Sequence, residues 1–287
     1  MSRLEVNNMA KGILLLMMGL LVQVTGVEAK DDGLIAGFRV GIQAYTYRGN
    51  TFEEAVQKTA SLGLKYIEGY PGQRLSASTG EVVVSPDASP EVCSKVKSIL
   101  SANGVQMVSF GVVALPGDEP VARKIFQSVK AMGVKLLVAK PEPNSFPMVA
   151  SLSKEYGINV AIHNHATPHI YADPHYVQQV LKDADRRMGA CPDTGHLMRS
   201  GFGPVESLKM FTGRVYGVHL KDLKEMGKID TRDWPFGQGI ADIPAILKEL
   251  KAQKFDGVIS IEYEASQPDP TADVKECIAY LRRLDKK

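Results

Sequence analysis

Two histidines two residues apart, in Ile162-His163-Asn164-His165-Ala166, are the first residues of this 287-residue chain whose types and spacing suggest chemistry. In an extended strand, positions i and i+2 point to one face. His163 and His165 therefore project together, and Asn164 turns the other way. Paired imidazoles at a strand end suit metal binding or proton transfer. Two surface histidines in a loop are the plain alternative. Other short apolar runs end in reactive side chains as well: Tyr66-Ile67-Glu68, Val138-Ala139-Lys140, Cys191-Pro192-Asp193-Thr194-Gly195-His196, Val218-His219-Leu220-Lys221-Asp222 and Ile261-Glu262-Tyr263-Glu264.

His163, Asp193, His219 and Glu262 form a four-ligand set of two nitrogens and two oxygens, each from its own strand. Such a set suits Mn²⁺, Zn²⁺, Co²⁺ or Fe²⁺ better than Mg²⁺, which prefers oxygen and water; one divalent ion, Mn²⁺ first among these, is the expected cofactor. Singly, each residue has a plainer reading: Asp193 as a helix N-cap, His219 as a core histidine, Glu262 as an ion-pair partner. Lys140 and Lys221 are placed to steady hydroxyls or an enolate oxygen, or lie on the surface. Tyr45, Trp234 and Phe236 offer faces on which a sugar can stack, or fill the core. His169 and His175 fall in a loop that is either a lid or solvated.

The elements that must position these residues follow a repeated pattern. A helical stretch ends in glycine and a short β-branched run follows, at Gly63, Gly104, Gly133, Gly157 and Gly257. Glycine suits the position just past a helix, where φ turns positive, so each instance reads as a helix-to-strand loop. Repetition predicts alternating β and α and a parallel sheet. Eight strands are expected: Phe38 to Thr46; four starting near Leu64, Val105, Val134 and Ile158; Met188 to Cys191; Arg214 to Leu220; and Val258 to Tyr263. The expected helices are Phe52–Leu62, Pro90–Ala102, Pro120–Met132, Phe146–Tyr156, Pro174–Asp185, Val205–Phe211, Ile243–Gln253 and Thr271–Leu284. Eight such units predict an α/β protein with a single (β/α)8 barrel, whose reactive residues belong at the C-terminal strand ends. A doubly wound sheet would want a glycine-rich phosphate loop after the first strand, which Gln43-Ala44-Tyr45-Thr46-Tyr47-Arg48-Gly49 does not supply.

Residues 1–29 read as a secretory leader: Arg3 and Lys11, an apolar run from Gly12 to Val24, then small residues at Val27 and Ala29. The barrel is expected over 30–287, periplasmic or secreted, with no stable membrane anchor after cleavage. Cys93, Cys191 and Cys277 lack zinc-ligand spacing and are expected to be buried thiols. A formal net charge of +2 gives no reason to expect nucleic acid as a partner. A small sugar or keto-sugar is the expected ligand, and the oligomeric state is open.

With these motifs, and with Phe236-Gly237-Gln238-Gly239 before a helix, the chain resembles the xylose isomerase-like TIM barrel superfamily, in particular its sugar phosphate isomerase/epimerase branch. In the epimerases of that branch a glutamate from the fifth strand, an aspartate from the sixth, a histidine from the seventh and a glutamate from the eighth hold the metal. The resemblance carries Asp193, His219 and Glu262 over to that set. His163 stands where the fifth-strand glutamate would be, which breaks the pair of glutamates that exchanges a proton from opposite faces. His165 is then the first candidate base, with Glu68 and His196 next. The resemblance, taken with the leader read at 1–29, implies an exported, metal-dependent sugar isomerase or epimerase. The alternatives are a keto-sugar (3-keto-glycoside) lyase or hydrolase on the same scaffold, or a sugar-binding barrel without catalysis.

Overall fold

The computed structural model describes residues 33–264 and 268–285, so the leader expected at 1–29 lies outside the described residues. Eight parallel strands form the barrel wall: β1 (Phe38–Gln43), β2 (Tyr66–Gly69), β3 (Gln106–Leu115), β4 (Leu136–Pro141), β5 (Asn159–His163), β6 (Met188–Cys191), β7 (Gly217–Leu220) and β8 (Val258–Ile261). Their order around the wall is β7-β8-β1-β2-β3-β4-β5-β6. Isolated parallel bridges from Ala190 to Val215 and from Asp193 to His219 join β6 to β7 and close it. The expected single (β/α)8 barrel is what the chain forms.

The helices are α1 (Phe52–Ser61), α2 (Pro90–Ala102), α3 (Glu119–Ala131), α4 (Phe146–Tyr156), α5 (Pro174–Lys182), α6 (Thr194–Arg199), α7 (Pro204–Met210), α8 (Ile243–Ala252) and α9 (Thr271–Leu284). Local chemistry sets their ends. At α1 the Thr51 hydroxyl accepts from the Glu54 amide while the Glu54 carboxylate accepts from the Thr51 amide, satisfying two donors that a helix start leaves open. At α4, Gly157 takes φ +70° and ends the helix as its spacing predicts.

The short helix α6 was not among the expected helices, because Asp193-Thr194-Gly195-His196 reads as the tail of a strand. The Asp193 carboxylate caps it, accepting from the His196 amide at 2.7 Å. The first strand stops at Gln43 rather than Thr46, because the Gln43 side-chain oxygen accepts from the Tyr45 amide and winds Ala44–Tyr47 into a 3-10 turn. The eighth stops at Ile261, two residues short of the expected end, which leaves Glu262 at the barrel mouth.

Val40, Ile42, Ile67, Phe110, Leu137, Val160, Val218 and Ile259 are fully buried on the strand faces turned towards the helices, while Val138, Ala161 and Cys191, with Val112, Leu136 and Tyr216 against them, form a second buried cluster on the opposite, inner face, so the barrel is packed rather than hollow. At Gly111 a Cβ would lie 2.4 Å from the Val138 carbonyl, so β3 and β4 approach there only because the residue is glycine. Among the described residues no helix is long and apolar enough to cross a membrane. Cys93, Cys191 and Cys277 are buried free thiols, as expected.

Candidate metal centre and proton-transfer site

Four consecutive strand ends deliver the site. His163 is the last residue of β5, Asp193 follows β6, His219 lies in β7 and Glu262 follows β8. Each offers one ligand atom, and these atoms all lie within 4.8 Å of one another, with all four residues buried. Nε2 of His163 is 3.0 Å from Nδ1 of His219 and 3.6 Å from Oδ2 of Asp193. Oε2 of Glu262 is 3.1 Å from Nδ1 of His219.

Neighbouring side chains hold these ligands in place. Asn164, turned away from the two histidines, accepts from the Asp193 amide at 2.8 Å and donates to the Asp193 carbonyl at 3.2 Å, clamping the end of β5 to that of β6. Thr194 does the same between β6 and β7, accepting from the Lys221 amide and donating to the Lys221 carbonyl. Asp193 is both things the sequence allowed. One carboxylate oxygen caps α6, and the other, without a hydrogen-bond partner, faces the cluster.

Glu68, expected among the proton-transfer candidates, has its oxygens engaged elsewhere. Oε1 lies 2.9 Å from Nε2 of His219 and accepts from the Gln43 amide nitrogen at 2.8 Å; Oε2 accepts from Ser109 at 2.7 Å. It is placed to position rather than to take a substrate proton: accepting from His219 Nε2, it would direct Nδ1 at the cluster once that nitrogen lost its own proton, the arrangement in which a carboxylate orients a metal-binding imidazole. Glu68→Gln is expected to weaken metal binding by about 10–100-fold without loss of fold, as titration of Mn²⁺ or Zn²⁺ into stripped protein will show. Unchanged affinity would remove this role.

The residues present fit a divalent cation on three counts. Oδ2 of Asp193 and Oε2 of Glu262 are buried and make no hydrogen bond; both lie 3.0 Å from one ammonium, that of Lys221, which Glu264 also draws on, so their two charges are only partly met. Among the described residues, five buried or mostly buried carboxylates (Glu68, Asp193, Asp233, Glu262 and Glu264) surround two permanent cations, Lys221 and Arg199. The donor atoms also need only a small adjustment, since the ligand atoms of a tetrahedral ion with bonds of about 2.1 Å stand about 3.4 Å apart. Burial, then the neighbouring His219 and His165, hold the His163 imidazole well below its usual pKa. Against burial, Lys221, His196 and His163 hold the Asp193 carboxyl well below its usual range. Both are in the forms a metal takes. His219 is different. Although burial opposes its charge, Cys191, Glu68 and Glu262 push it well above the usual range, so a bound cation would displace a proton there.

Lys221 is not on a substrate-facing surface, as its candidacy for substrate binding required. Its buried ammonium lies 3.0 Å from Oδ2 of Asp193, 3.0 Å from Oε2 of Glu262 and 2.6 Å from Oε2 of Glu264. Trp234 is likewise corrected. The Lys224 ammonium stands 3.4 Å and the Arg232 guanidinium 3.8 Å from its ring centroid, and Trp234 lines neither cavity at the barrel mouth. Cations already occupy the ring on which a sugar would have to stack. Phe236 is core.

Above the cluster an inner chamber of ≈ 300 Å³ is lined by Gln43, Tyr45, Tyr70, His165, Glu262 and Glu264, among others. His165 shares a face with His163, their ring centroids 4.8 Å apart, and its Nδ1 is buried without a partner. Its ring is also 5.0 Å from those of His169 and His196. Burial, then the charges of His196 and Lys140, bring the His165 pKa down to about 3; burial brings His196 to about 4. Both are neutral bases at pH 7. Lys140, on β4, is partly buried, and its charge is among the causes that lower the His165 pKa. His175 pairs with Asp173 in solvent.

Glu264, Gln43 and Arg199 were not singled out from sequence. Glu264 had a signal: two residues beyond Glu262, it repeats the spacing of His163 and His165. Gln43 and Arg199 had none. A groove of ≈ 500 Å³ between α5 and α7 lies away from this chemistry, and its Arg214 guanidinium is already bonded to the carbonyls of Ala184, Asp185 and Met188.

A barrel that gathers imidazoles and carboxylates at the mouth of four consecutive strands defines a class, the (β/α)8 barrels with a candidate metal centre at the C-terminal face. The model of the family described as xylose isomerase-like TIM barrel matches residues 145–284. An uncharacterised protein from Parabacteroides distasonis ATCC 8503, 32% identical in sequence, superposes with a TM-score of 0.68 over 86% of this chain and 98% of its own. The chain belongs to the xylose isomerase-like TIM barrel family. The zinc-bound structure of the IOLI protein superposes with a TM-score of 0.66 over 86% of this chain and 97% of its own, at 18% identity, a likeness of fold. Inosose dehydratase of Clostridium botulinum (strain Alaska E43 / Type E3) is 27% identical over 143 residues, 42% of this chain and 45% of the relative; the chain thus spans less than half the length of that curated relative.

Proposed function

We propose that this protein is a divalent-metal-dependent enzyme that takes the proton next to the carbonyl of a keto sugar or keto polyol, and that it completes the reaction by elimination. The observation that carries this reading is His165: a neutral imidazole with a buried, unpartnered nitrogen, in one chamber with Glu262 of the four-ligand cluster. A divalent ion held by His163, Asp193, His219 and Glu262 would supply Lewis acidity toward a carbonyl and its adjacent hydroxyl. Mn²⁺ is the ion we propose first; the zinc in the IOLI structure keeps Zn²⁺ beside it.

The chain's own residues then handle protons. His165 removes the proton from the carbon beside the carbonyl, and the C–H electron pair becomes a C=C bond. The C–O bond on the next carbon breaks, and the departing oxygen leaves with the electron pair of that C–O bond. An imidazole with a pKa of about 3 becomes a strong acid once protonated, so His165 can return its proton to that oxygen. Water or an alcohol departs and an unsaturated ketone remains. The relative named inosose dehydratase supports elimination. The isomerase or epimerase reading rests on a different feature: Glu262 lines the same chamber as His165, so a second proton-transfer group is at hand.

One incubation separates them. Metal-loaded enzyme in D₂O is given a ketose and a keto-inositol. Loss of water with a new unsaturated ketone supports elimination. Deuterium beside the carbonyl with an inverted or isomerised product supports the second reading. Neither change, with metal bound, ends both and leaves a sugar-binding barrel. We also propose that residues 1–29 are a leader removed on export to the periplasm or beyond. The intact mass of the mature chain tests this, with a start at Lys30 expected.

A further inference from the structure

Lys221 is held in place from backbone to ammonium. The Thr194 hydroxyl accepts from its amide at 2.8 Å and donates to its carbonyl at 2.9 Å. Its stem then passes α6 at Gly195, where an added Cβ would lie 2.7 Å from Cδ and 2.9 Å from Cβ of Lys221, an approach that only glycine allows. The ammonium ends buried among three carboxylates, and the three contacts are not alike. Oε2 of Glu264, at 2.6 Å, accepts a hydrogen bond from it. Oδ2 of Asp193 and Oε2 of Glu262, each at 3.0 Å, meet its charge without a hydrogen bond.

Those last two oxygens are the ones that Asp193 and Glu262 turn towards His163 and His219. An ion bonded to them at about 2.1 Å would stand within about 5 Å of the Lys221 ammonium, and like charges that close in a buried space repel. The ammonium and a divalent ion therefore draw on the same two charges. Glu264 is fixed where it can answer the ammonium instead. Its amide donates to the buried Asp233 carboxylate at 2.7 Å, and the other Asp233 oxygen takes the Arg199 guanidinium at 2.6 Å. Arg199 is the last residue of α6, the helix that Asp193 caps, so the element that presents a ligand also fixes the counter-charge.

We infer that Glu264 is a positioning residue that sets the affinity of the four-ligand cluster for its ion through Lys221: by holding the ammonium, it keeps that charge from competing for Asp193 and Glu262. The inference rests on the divalent-metal reading of the cluster and is independent of substrate and reaction. Glu262 and Glu264, two residues apart on one chamber wall, divide the work. The first serves the ion, and the second engages the cation that competes with it.

Calorimetric titration of Mn²⁺ into stripped protein tests this without any substrate. Glu264→Gln leaves the ammonium to Asp193 and Glu262, so Mn²⁺ is expected to bind about tenfold or more weakly. Lys221→Met removes the competitor, so Mn²⁺ is expected to bind about tenfold or more tightly. Within Lys221→Met, adding Glu264→Gln should change affinity by less than about twofold, because a residue that acts through another loses its effect when that other is gone. Equal losses from Glu264→Gln in both backgrounds would show that Glu264 acts on the ion by its own charge, and would overturn the inference. Unchanged or weaker binding by Lys221→Met would overturn it too. Glu264→Asp decides without touching Lys221, should Lys221→Met fail to fold. It keeps the charge but withdraws it from the ammonium, so Mn²⁺ should bind as weakly as it does to Glu264→Gln; wild-type affinity would refute the role of the contact. Wild-type protein that takes up neither Mn²⁺ nor Zn²⁺ would remove the metal reading itself, whereas tight binding that is the same in all variants would remove this inference alone.

Discussion

Replacing His165 by alanine is expected to leave one metal ion per chain and to lower kcat by about 10²–10⁴-fold, the usual contribution of a positioned proton-transfer group. The separation of the two readouts is the point. His163 and His165 share a face of one strand end, but only the His163 nitrogen lies among the ligand atoms. The His165 nitrogen instead points into a buried space without a partner. Removing the ring empties part of the inner chamber and leaves all four ligands untouched, so metal analysis should show no change. Proton exchange beside the carbonyl in D₂O should fall in parallel with kcat, since both require the same base. His165→Ala protein that still exchanges at the wild-type rate would exclude His165 as the base; loss of metal would show that it is a ligand.

The pH dependence carries the sign of the burial. Burial, with His196 and Lys140, lowers the His165 pKa to about 3, so the imidazole stays unprotonated, and competent as a base, at any pH well above that value. Loss of kcat/KM on its account therefore occurs only in strong acid, far below the midpoint of about 6.5 shown by an exposed histidine. An acid limb at pH 6–7 that vanishes in His165→Ala would contradict the burial read from the structure.

The second large effect belongs to Lys221. Its ammonium lies within about 3 Å of Asp193, Glu262 and Glu264, and these carboxylates raise its pKa well above the usual value against the cost of burial. Lys221→Met keeps much of the side-chain volume and removes the charge. It leaves buried carboxylates facing one another, so the metal-free protein is expected to lose about 3–5 kcal/mol, the range for removing one partner of a buried ion pair. A divalent ion added back supplies the missing positive charge. It should therefore stabilise the variant against urea more than it stabilises the wild type, because binding to the folded state alone shifts unfolding by mass action. Unfolding curves with and without Mn²⁺ measure both. If the variant is as stable as wild type without metal, or gains no more from metal than wild type does, Lys221 is not the counter-charge the geometry makes it.

Much of the site was legible before any coordinates. His163, Asp193, His219 and Glu262 each follow or end a short apolar run, and such runs in a parallel barrel must point their last residues toward one face. Period-two alternation then separated His163 and His165 from Asn164. These are local facts, set by backbone geometry and by which residues can be buried, and they determined the barrel, the strand ends and the four candidate ligands. Glycines such as Gly157, with its positive φ, marked the helix-to-strand loops for the same reason.

What the sequence could not determine is how residues distant along the chain divide the work. Glu68 and His219, 151 positions apart, become partners only when β2 and β7 face each other across the barrel interior. That contact turns a candidate base into the residue that orients an imidazole. Lys221 and Trp234 looked like substrate contacts by type. Tertiary packing buried the one among three carboxylates and placed two cations against the other. Glu264, Arg199 and Gln43 gained their places the same way, through Lys221, Asp233 and Glu68. Side-chain direction follows from the strand, but side-chain partnership depends on closure of the barrel, and charge pairing in a buried space is decided by which groups meet there.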